Sequence, residues 1–419
     1  MTAVYTVLSK LFDEGSFVEF DKYLTNGEDL SGVVSGHGLV NGCPAYAYIQ
    51  DSDVHGGAMN TVQCKKIQKI YKMAAQNGEP VVAFFDSKGV KLDEGSKLMD
   101  AISEVLQQAN IISGVVPQIA VVLGSCVGSP AVIASNSDIV ITVEDAEYYL
   151  NPNDDSICGD IVVEDADAAV EKVKNILDIV PSNNLETSVI FDVADVSMRE
   201  CDGVSSIVDA ICDGGEYVEI GEGKNKTVLT RIGGVACGVV TFEKEKICCC
   251  AASKIAQFVR FCDAFSLPII TFVDSAGFKN IKSMSKVSHA YAEATASKIT
   301  VIAGKAYGSV YIATAGANSG ADVVYAWEDA VILPIAPEAA IYIYEQNRLE
   351  NLKDPKADRE KLAEEYAKDN GSAPLAAQNG LVSDVISISD TKEYVVKSLE
   401  MLASKRVSRL SKKHSNICL

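Results

Sequence analysis

The chain is built of two similar halves. Pro80 to Gly89 reads PVVAFFDSKG and Pro268 to Gly277 reads PIITFVDSAG, which sets Asp86 and Asp274 188 positions apart. A second block, Pro117 to Ala146, is echoed by Ser297 to Ala330. Within it Gly128-Ser129 recurs as Gly308-Ser309 after 180 positions, and Glu144-Asp145-Ala146 as Glu328-Asp329-Ala330 after 184. A third echo lies upstream, Ser31 to Gly42 against Arg231 to Phe242, and the order of the blocks is the same in both halves. Chance likeness between short β-rich segments does not produce three collinear blocks. The fold therefore has to be assembled from two equivalent units. The turn Pro181-Ser182-Asn183-Asn184 predicts a division into residues 1–182 and 183–419.

Each half carries the same run of elements. A glycine-punctuated strand pair is followed by a helix, read over Asn60 to Asn77 in the first half and Ala251 to Phe265 in the second. Short apolar runs bounded by turn signals then mark buried strands: VVAFF and IAVVL in the first half, IITFV and ITVIA in the second. An acidic helix is read over Val163 to Leu177. Strands alternating with helices predict an α/β fold whose sheets are covered by helices.

Composition narrows the function. Over 419 residues, 48% hydrophobic and 22% charged content excludes wholesale disorder. A formal charge of −20 argues against a nucleic-acid partner, which requires clustered Lys and Arg. No apolar run approaches the ~18 residues of a membrane span. Met1 to Asp13 lacks the basic start and apolar run of a signal peptide, so a cytoplasmic location is expected. The 12 cysteines include no Cys-x-x-Cys pair and meet only four histidines. They read as small apolar residues in a reducing compartment, with no metal expected; the run Cys248-Cys249-Cys250 is poorly arranged to chelate one ion.

The repeated glycine turns carry the chemical signal. In VVLGSCVGSPAV an apolar strand leads through small residues to a helix expected near Ser129-Pro130, where Pro suits the first turn. Amides at a helix start lack intrahelical acceptors and face outward with the positive end of the dipole. A glycine beside them lets a ligand approach, which makes an oxyanion hole without a catalytic side chain. GKAYGSVY repeats the arrangement, and two such turns suit a reaction that develops charge on two partners. The plainer reading is that the glycines only permit tight packing of strand on helix. Neither turn is a P-loop, and neither contains Gly-x-Ser-x-Gly.

Five stretches, His55 to Ala74, Ser113 to Ala131, Lys254 to Phe278, Tyr291 to Ala313 and Ala373 to Ile386, together resemble the carboxyltransferase subunits of biotin-dependent acyl-CoA carboxylases and sodium-pumping acyl-CoA decarboxylases. The resemblance implies two tandem crotonase-like ββα superhelix domains, the first for acyl-CoA and the second for biotin on a separate carrier protein. It implies oxyanion-stabilising amides at Gly128, Ser129, Gly308 and Ser309. On the acyl-CoA side it implies Gly56, Gly57, Ser87, Gly89 and Lys91. On the biotin side it implies Ala276, Gly277, Phe278 and the stretch with Pro337, Glu338 and Ala339. Implied partners are a biotin carrier with a biotin carboxylase or membrane decarboxylase subunits, in a homo-oligomer such as a hexamer built as a trimer of dimers. The chain departs from the family in five places, one of them the linking region after Asn153, which has lost a glycine/histidine-rich stretch usual in the family. Ser129 and Ser309 stand where a second glycine is usual. Lys88 and Lys91 replace a glycine and an arginine. Glycines near Ala336 have become Pro and Ala. A segment after Phe278 is shortened to Lys279–Val287.

Two other readings remain at this level. One is an impaired paralogue that serves as an assembly subunit, suggested by the shortened biotin side. The other is an enoyl-CoA hydratase or isomerase, which would need a carboxylate beside an oxyanion hole. Asp93 and Glu94 are the nearest candidates, although helix-start carboxylates are common there. Lys65, Lys66 and Lys69 read as a solvated helix face more readily than as phosphate ligands. Asp86 and Asp274 read as turn caps as readily as catalytic groups. Trp327 is expected beneath the sheet edge, and the basic tail Ser404 to Leu419 as a frayed terminus.

Overall fold

The computed structural model describes residues 3–27, 29–151, 153–187, 197–244, 246–317, 320–344, 349, 356–408 and 410–416. Part of the linking segment, residues 188–196, and residues 409 and 417–419 of the tail lie outside the described residues. The chain divides into two compact units. One comprises residues 1–187 with 220–222, and the other residues 188–219 with 223–419.

The first unit opens with α1 (Ala3–Leu11) and β1 (Val18–Glu19), then a small hairpin, β2 (Thr25–Asn26) with β3 (Asp29–Leu30). Its sheet is built from β1, β4 (Val33–Val40), β5 (Cys43–Gln50), β6 (Val81–Ser87), β7 (Gln118–Val127), β8 (Ile139–Val143) and β10 (Ile161–Val163), in that spatial order. β9 (Glu147–Tyr149) pairs with the end of β7. β4 and β5 are antiparallel, while β5 through β8 and β10 run parallel. The intervening helices are α2 (Thr61–Asn77), α3 (Ser96–Ile111), α4 (Ser129–Ser135) and α5 (Ala166–Ile179).

The second unit repeats this plan, each main strand recurring eight labels later. Its sheet runs β11 (Tyr217–Glu219), β12 (Thr227–Ile232), β13 (Val235–Lys244), β14 (Ile269–Ser275), β15 (Lys298–Tyr307), β16 (Val323–Trp327) and β18 (Asp384–Ile386), with β17 (Val331–Leu333) on the end of β15. Its helices are α6 (Val204–Ile211), α7 (Cys249–Ala264), α8 (Ile281–Glu293), α9 (Ser309–Thr314), α10 (Pro337–Tyr344), α11 (Ala357–Gly371), α12 (Ala373–Gln378) and α13 (Thr391–Leu402).

Periodicity explains the core. α2 turns Cys64, Ile67, Ile70, Tyr71 and Ala74 onto the sheet, where they meet Tyr48 and Phe85. In the second unit, Val204, Ile207, Val208 and Ile211 of α6 pack with Val395 and Leu399 of α13 against Val239, Ile270 and Phe272. Trp327 is buried in β16 and donates its indole N–H to Thr391 Oγ1 at 2.9 Å.

Three sequence readings change here. Lys66 is on the buried face of α2, not the solvated one, and donates to the Val33 carbonyl at 2.7 Å; Lys65 and Lys69 are exposed. Burial holds the Lys66 ammonium below its ordinary range, against the charges of Glu19 and Asp21. The described part of the tail is docked, not frayed. Lys405 Nζ reaches Asp322 Oδ2 at 2.7 Å and the Ala296 carbonyl at 3.0 Å, and Lys412 and Ser415 meet Glu293. The cysteine run falls at the start of α7, leaving Cys249 and Cys250 exposed, whereas Cys64, Cys126, Cys212, Cys237 and Cys262 are buried.

Candidate functional site

The site in each unit is built by a break in one strand. β6 pairs with β7 at Phe85–Val122 and next at Ser87–Cys126, so the one residue between them on β6, Asp86, faces three on β7. β14 and β15 do the same at Val273–Ile302 and Ser275–Ala306. The three facing residues are Leu123, Gly124 and Ser125 in the first unit and Ala303, Gly304 and Lys305 in the second, two more than the opposite strand supplies. Asp86 Oδ1 accepts from the Ser125 amide at 3.1 Å, and Asp274 Oδ1 from the Lys305 amide at 2.9 Å. Gly124 and Gly304 are required because a Cβ at either would lie within 2.7 or 2.4 Å of the aspartate oxygen. The two aspartates thus hold the bulge of the next strand rather than capping their own turns.

Past the bulge each strand changes neighbours. β7 leaves β8 for β9, and β15 leaves β16 for β17. The Gly128 amide then donates to the Tyr149 carbonyl at 3.1 Å, and the Gly308 amide to the Leu333 carbonyl at 2.8 Å. Gly128 (φ 72°) and Gly308 (φ 46°) have the left-handed backbone that turns the chain into α4 and α9. Ser129 and Ser309 follow as the first helical residues, and neither has positive φ. The first position of each pair carries the strained backbone; the second accepts a side chain while its amide heads the helix.

The other expected residues of the first unit gather beside this turn. Gly57 lies on the backbone of Asp86 and Ser87, where a Cβ would come within 1.9 Å of the Asp86 carbonyl oxygen. The Lys88 amide donates to Gly56, and Ser87 Oγ donates to the Gly89 carbonyl at 3.1 Å. Gly89 approaches Val127, just ahead of Gly128. The Met59 amide bonds Gly89 at 2.9 Å and the Lys91 amide bonds Met59 at 2.8 Å. Gly56, Gly57, Ser87, Gly89 and Lys91 therefore form one cluster with the Gly128 turn.

In the second unit Gly277 faces Ser309; an added Cβ would sit 3.5 Å from its Oγ. Phe278 packs edge-on against Phe242 with centroids 6.4 Å apart, and Ala276 lies in the same turn. Pro337, Glu338 and Ala339 form the first turn of α10. Glu338 reaches the site electrostatically. Burial first, then the charges of Glu338 and Asp274, push the Tyr307 hydroxyl up to about 12. Among the described residues, no hydrogen bond ties Pro337 or Ala339 to the Gly308 turn.

Glu94 has a role that its sequence position did not reveal. It accepts from the Thr61 amide at 2.7 Å and from Asn26 Nδ2 at 2.8 Å, so it caps α2 from a distant loop. Burial works to raise its carboxyl, but the Thr61 amide, Asn26 and Lys91 outweigh this and hold it low. Asp93 is exposed, 3.8 Å from Lys91 Nζ. Glu94 is thus taken up in capping α2, while Asp93 faces solvent beside Lys91. Among the described residues, no helix is long and apolar enough to cross a membrane, and no group of three or more His, Cys, Asp or Glu is placed to hold a metal ion.

Duplicated ββα units whose glycine turns open short helices define the class, a tandem crotonase-like fold. Within that class the chain belongs to the carboxyl transferase family, whose domain model matches residues 2–151 and 155–417. The chain is 31% identical to methylmalonyl-CoA decarboxylase subunit alpha of Propionigenium modestum, covering 98% of this chain and 92% of that protein. It is also 31% identical to the propionyl-CoA carboxylase beta chain of Roseobacter denitrificans, with the same coverage. A solved hexameric transcarboxylase 12S, with methylmalonyl-coenzyme A and methylmalonic acid bound, matches at a TM-score of 0.89 and 30% identity, over 99% of this chain and 92% of that one. The Propionigenium alignment runs over 476 positions against 419 residues here, so at least 57 positions of it face gaps in this chain.

Proposed function

We propose that this chain transfers a carboxyl group between an acyl-CoA thioester and biotin held on a separate carrier protein. The observation that carries this reading is the pair of equivalent turns, Gly128-Ser129 beside Gly89 and Gly308-Ser309 beside Gly277, one in each unit.

Making or breaking the bond between the α-carbon of an acyl-CoA and a carboxyl group passes through a thioester enolate. The negative charge develops on the thioester oxygen. The Ser129 amide, at the positive end of α4, is the donor for that oxygen, and it is fixed before the reaction begins. Gly56, Gly57, Ser87 and Gly89 give the thioester close access to the backbone, and Lys91 supplies a positive charge for a CoA phosphate. In the decarboxylation direction the C–C bond breaks, its electron pair passes into the enolate as CO2 leaves, and the enolate carbon then takes up a proton. In the carboxylation direction the α-proton is lost first, to the base that biotin would supply after giving up its CO2, and the enolate carbon attacks that CO2.

The second turn suits a neutral, hydrogen-bond-accepting ring. Gly277 offers a small-residue cradle opposite Ser309, and the donors there are uncharged amides. Ala276, Gly277, Phe278, Gly308, Ser309 and the first turn of α10 (Pro337, Glu338, Ala339) are the residues that would hold biotin. When bound and carboxylated, biotin supplies the carboxyl group. Accompanying partners are then a biotin carrier with a biotin carboxylase or with membrane decarboxylase subunits. A homo-hexamer is the assembly to expect.

The test incubates the purified chain with methylmalonyl-CoA and free biotin and follows CoA products by chromatography. Carboxyl loss or transfer that falls in Gly128→Ala and Gly308→Ala supports the reading. Absence of turnover, even with a biotin carrier and partner subunits added, overturns it. The gapped alignment favours a second reading, an assembly subunit without turnover. Native mass spectrometry showing only hetero-oligomers, together with no acyl-CoA binding, is its signature.

A further inference from the structure

The start of α7 and the start of α2 occupy equivalent places, and their amides are satisfied differently. In the first unit the Met59 amide bonds Gly89 and the Lys91 amide bonds Met59; in the second the Ile247 amide bonds Gly277 and the Lys279 amide bonds Ile247. Asn60 therefore corresponds to Cys248, Thr61 to Cys249 and Lys91 to Lys279. At α2, Asn60 Oδ1 accepts from the Val62 and Gln63 amides, and the Glu94 carboxylate accepts from Thr61. At α7, Cys248 Sγ accepts from Ala251 at 3.5 Å, and among the described residues none accepts from the Cys249 amide. The loop that delivers Glu94 is absent: Asn280, directly after Lys279, already caps α8 through Ser283.

What lies there instead is a cleft of about 600 Å³ lined by Cys249, Asn280, Ile281, Lys282, Ser283 and Lys286. The 16-residue α7 and the 13-residue α8 both begin at it, so two positive dipole ends meet one space bordered by Lys282 and by Lys286, whose Nζ donates to Ser253 Oγ at 3.0 Å, without an acidic side chain in its lining. The Ser283 hydroxyl is a second, independent sign. The residue is 1% exposed, it lines the cleft, and its oxygen has no hydrogen-bond partner. The same field acts on Cys248, whose thiol is held below its ordinary range by the Ala251 amide, then the Cys250 amide and Lys279.

We propose that this cleft binds a small oxyanion, a phosphate or carboxylate group of a ligand, in the place that the Glu94 carboxylate takes in the first unit. The lining shares no residue with the two glycine turns, and occupancy is read without carboxyl transfer. Cys249 reports on its occupancy.

The full chain is treated with iodoacetamide while inorganic phosphate, or acetate, replaces chloride at constant ionic strength, and Cys249 modification is followed by fragment-resolved mass spectrometry. Saturable slowing by phosphate alone assigns a phosphate group, by acetate alone a carboxylate, and by both any small oxyanion. In Lys282→Gln/Lys286→Gln the half-protecting concentration rises by about fivefold or more, the scale of lost helix-end charge interactions. Ile281→Glu, at a position 88% exposed, puts a carboxylate in the cleft without burdening the fold and removes the protection. Equal rates in chloride and both anions, or protection unchanged in Ile281→Glu, overturn the proposal.

Discussion

Asp274 Oδ1 accepts a hydrogen bond from the Lys305 amide at 2.9 Å, across from the strand that carries it. This contact holds the bulge that aims the end of β15 at Gly308. Replacing Asp274 with Ala strips the amide of its acceptor and costs about 1–3 kcal/mol. Asn keeps an oxygen in place and restores most of it. Urea midpoints for the two variants make the comparison; equal losses would show that the carboxylate charge, not the acceptor, is needed.

Gly308 and Gly128 are expected to differ in tolerance. Alanine at Gly308 places Cβ 2.4 Å from the Pro334 carbonyl oxygen, while at Gly128 the nearest atom, the Leu150 carbonyl oxygen, is 3.9 Å away. Gly128→Ala bears only the cost of its positive-φ backbone, about 1–3 kcal/mol. Gly308→Ala adds a clash with backbone and lowers the thermal midpoint further. Ser129→Gly and Ser309→Gly leave the turns intact.

Lys66 and Lys91 separate packing from binding. Lys66→Met replaces a buried amine that bonds Val33 and leaves the KM for acyl-CoA unchanged. Lys91→Ala removes a half-buried charge, paired with Asp93, beside the first turn and raises that KM severalfold. Steady-state kinetics on both variants checks the pair.

Asp138 makes stability depend on pH. Burial pushes its carboxyl up to about 7, against the hydrogen bond from the Gln118 amide; the residue as a whole is half-buried, but its carboxyl is enclosed. The folded value lies above the unfolded one near ~3.9. Its contribution is therefore fully present below pH ~4 and is lost as pH rises through about 7. Asp138→Asn flattens that decline, as denaturation midpoints measured from pH 4 to 8 will show. A wild-type profile as flat as the variant's would rule this out.

Deleting the tail after Ala403 removes the Lys405–Asp322 and Lys412–Glu293 pairs. The expected loss is about 1–2 kcal/mol, smaller at high salt because the pairs are partly exposed. A truncated chain as stable as the full one would mean that the docked tail contributes nothing.

Much of this fold is legible in the sequence because the duplication doubles every signal. Strands VVAFF and IITFV are each readable, and their agreement fixes the parallel order. Both glycine turns are legible for the same reason. What the sequence hides is long-range. Asp86 serves Ser125, 39 residues on, and Glu94 serves Thr61, 33 residues back. Lys66 looked solvated because a lysine on a helix usually is; its partner Val33 lies on another element. The tail looked free because its acidic partners, Glu293 and Asp322, sit far back in the chain.

Because the bulge occurs twice, the molecule carries its own control. A substitution at Asp86 has a twin at Asp274, and one at Gly128 has a twin at Gly308, in the same solution and the same polypeptide. Changing one twin at a time apportions a shared reaction between its two halves without recourse to another protein.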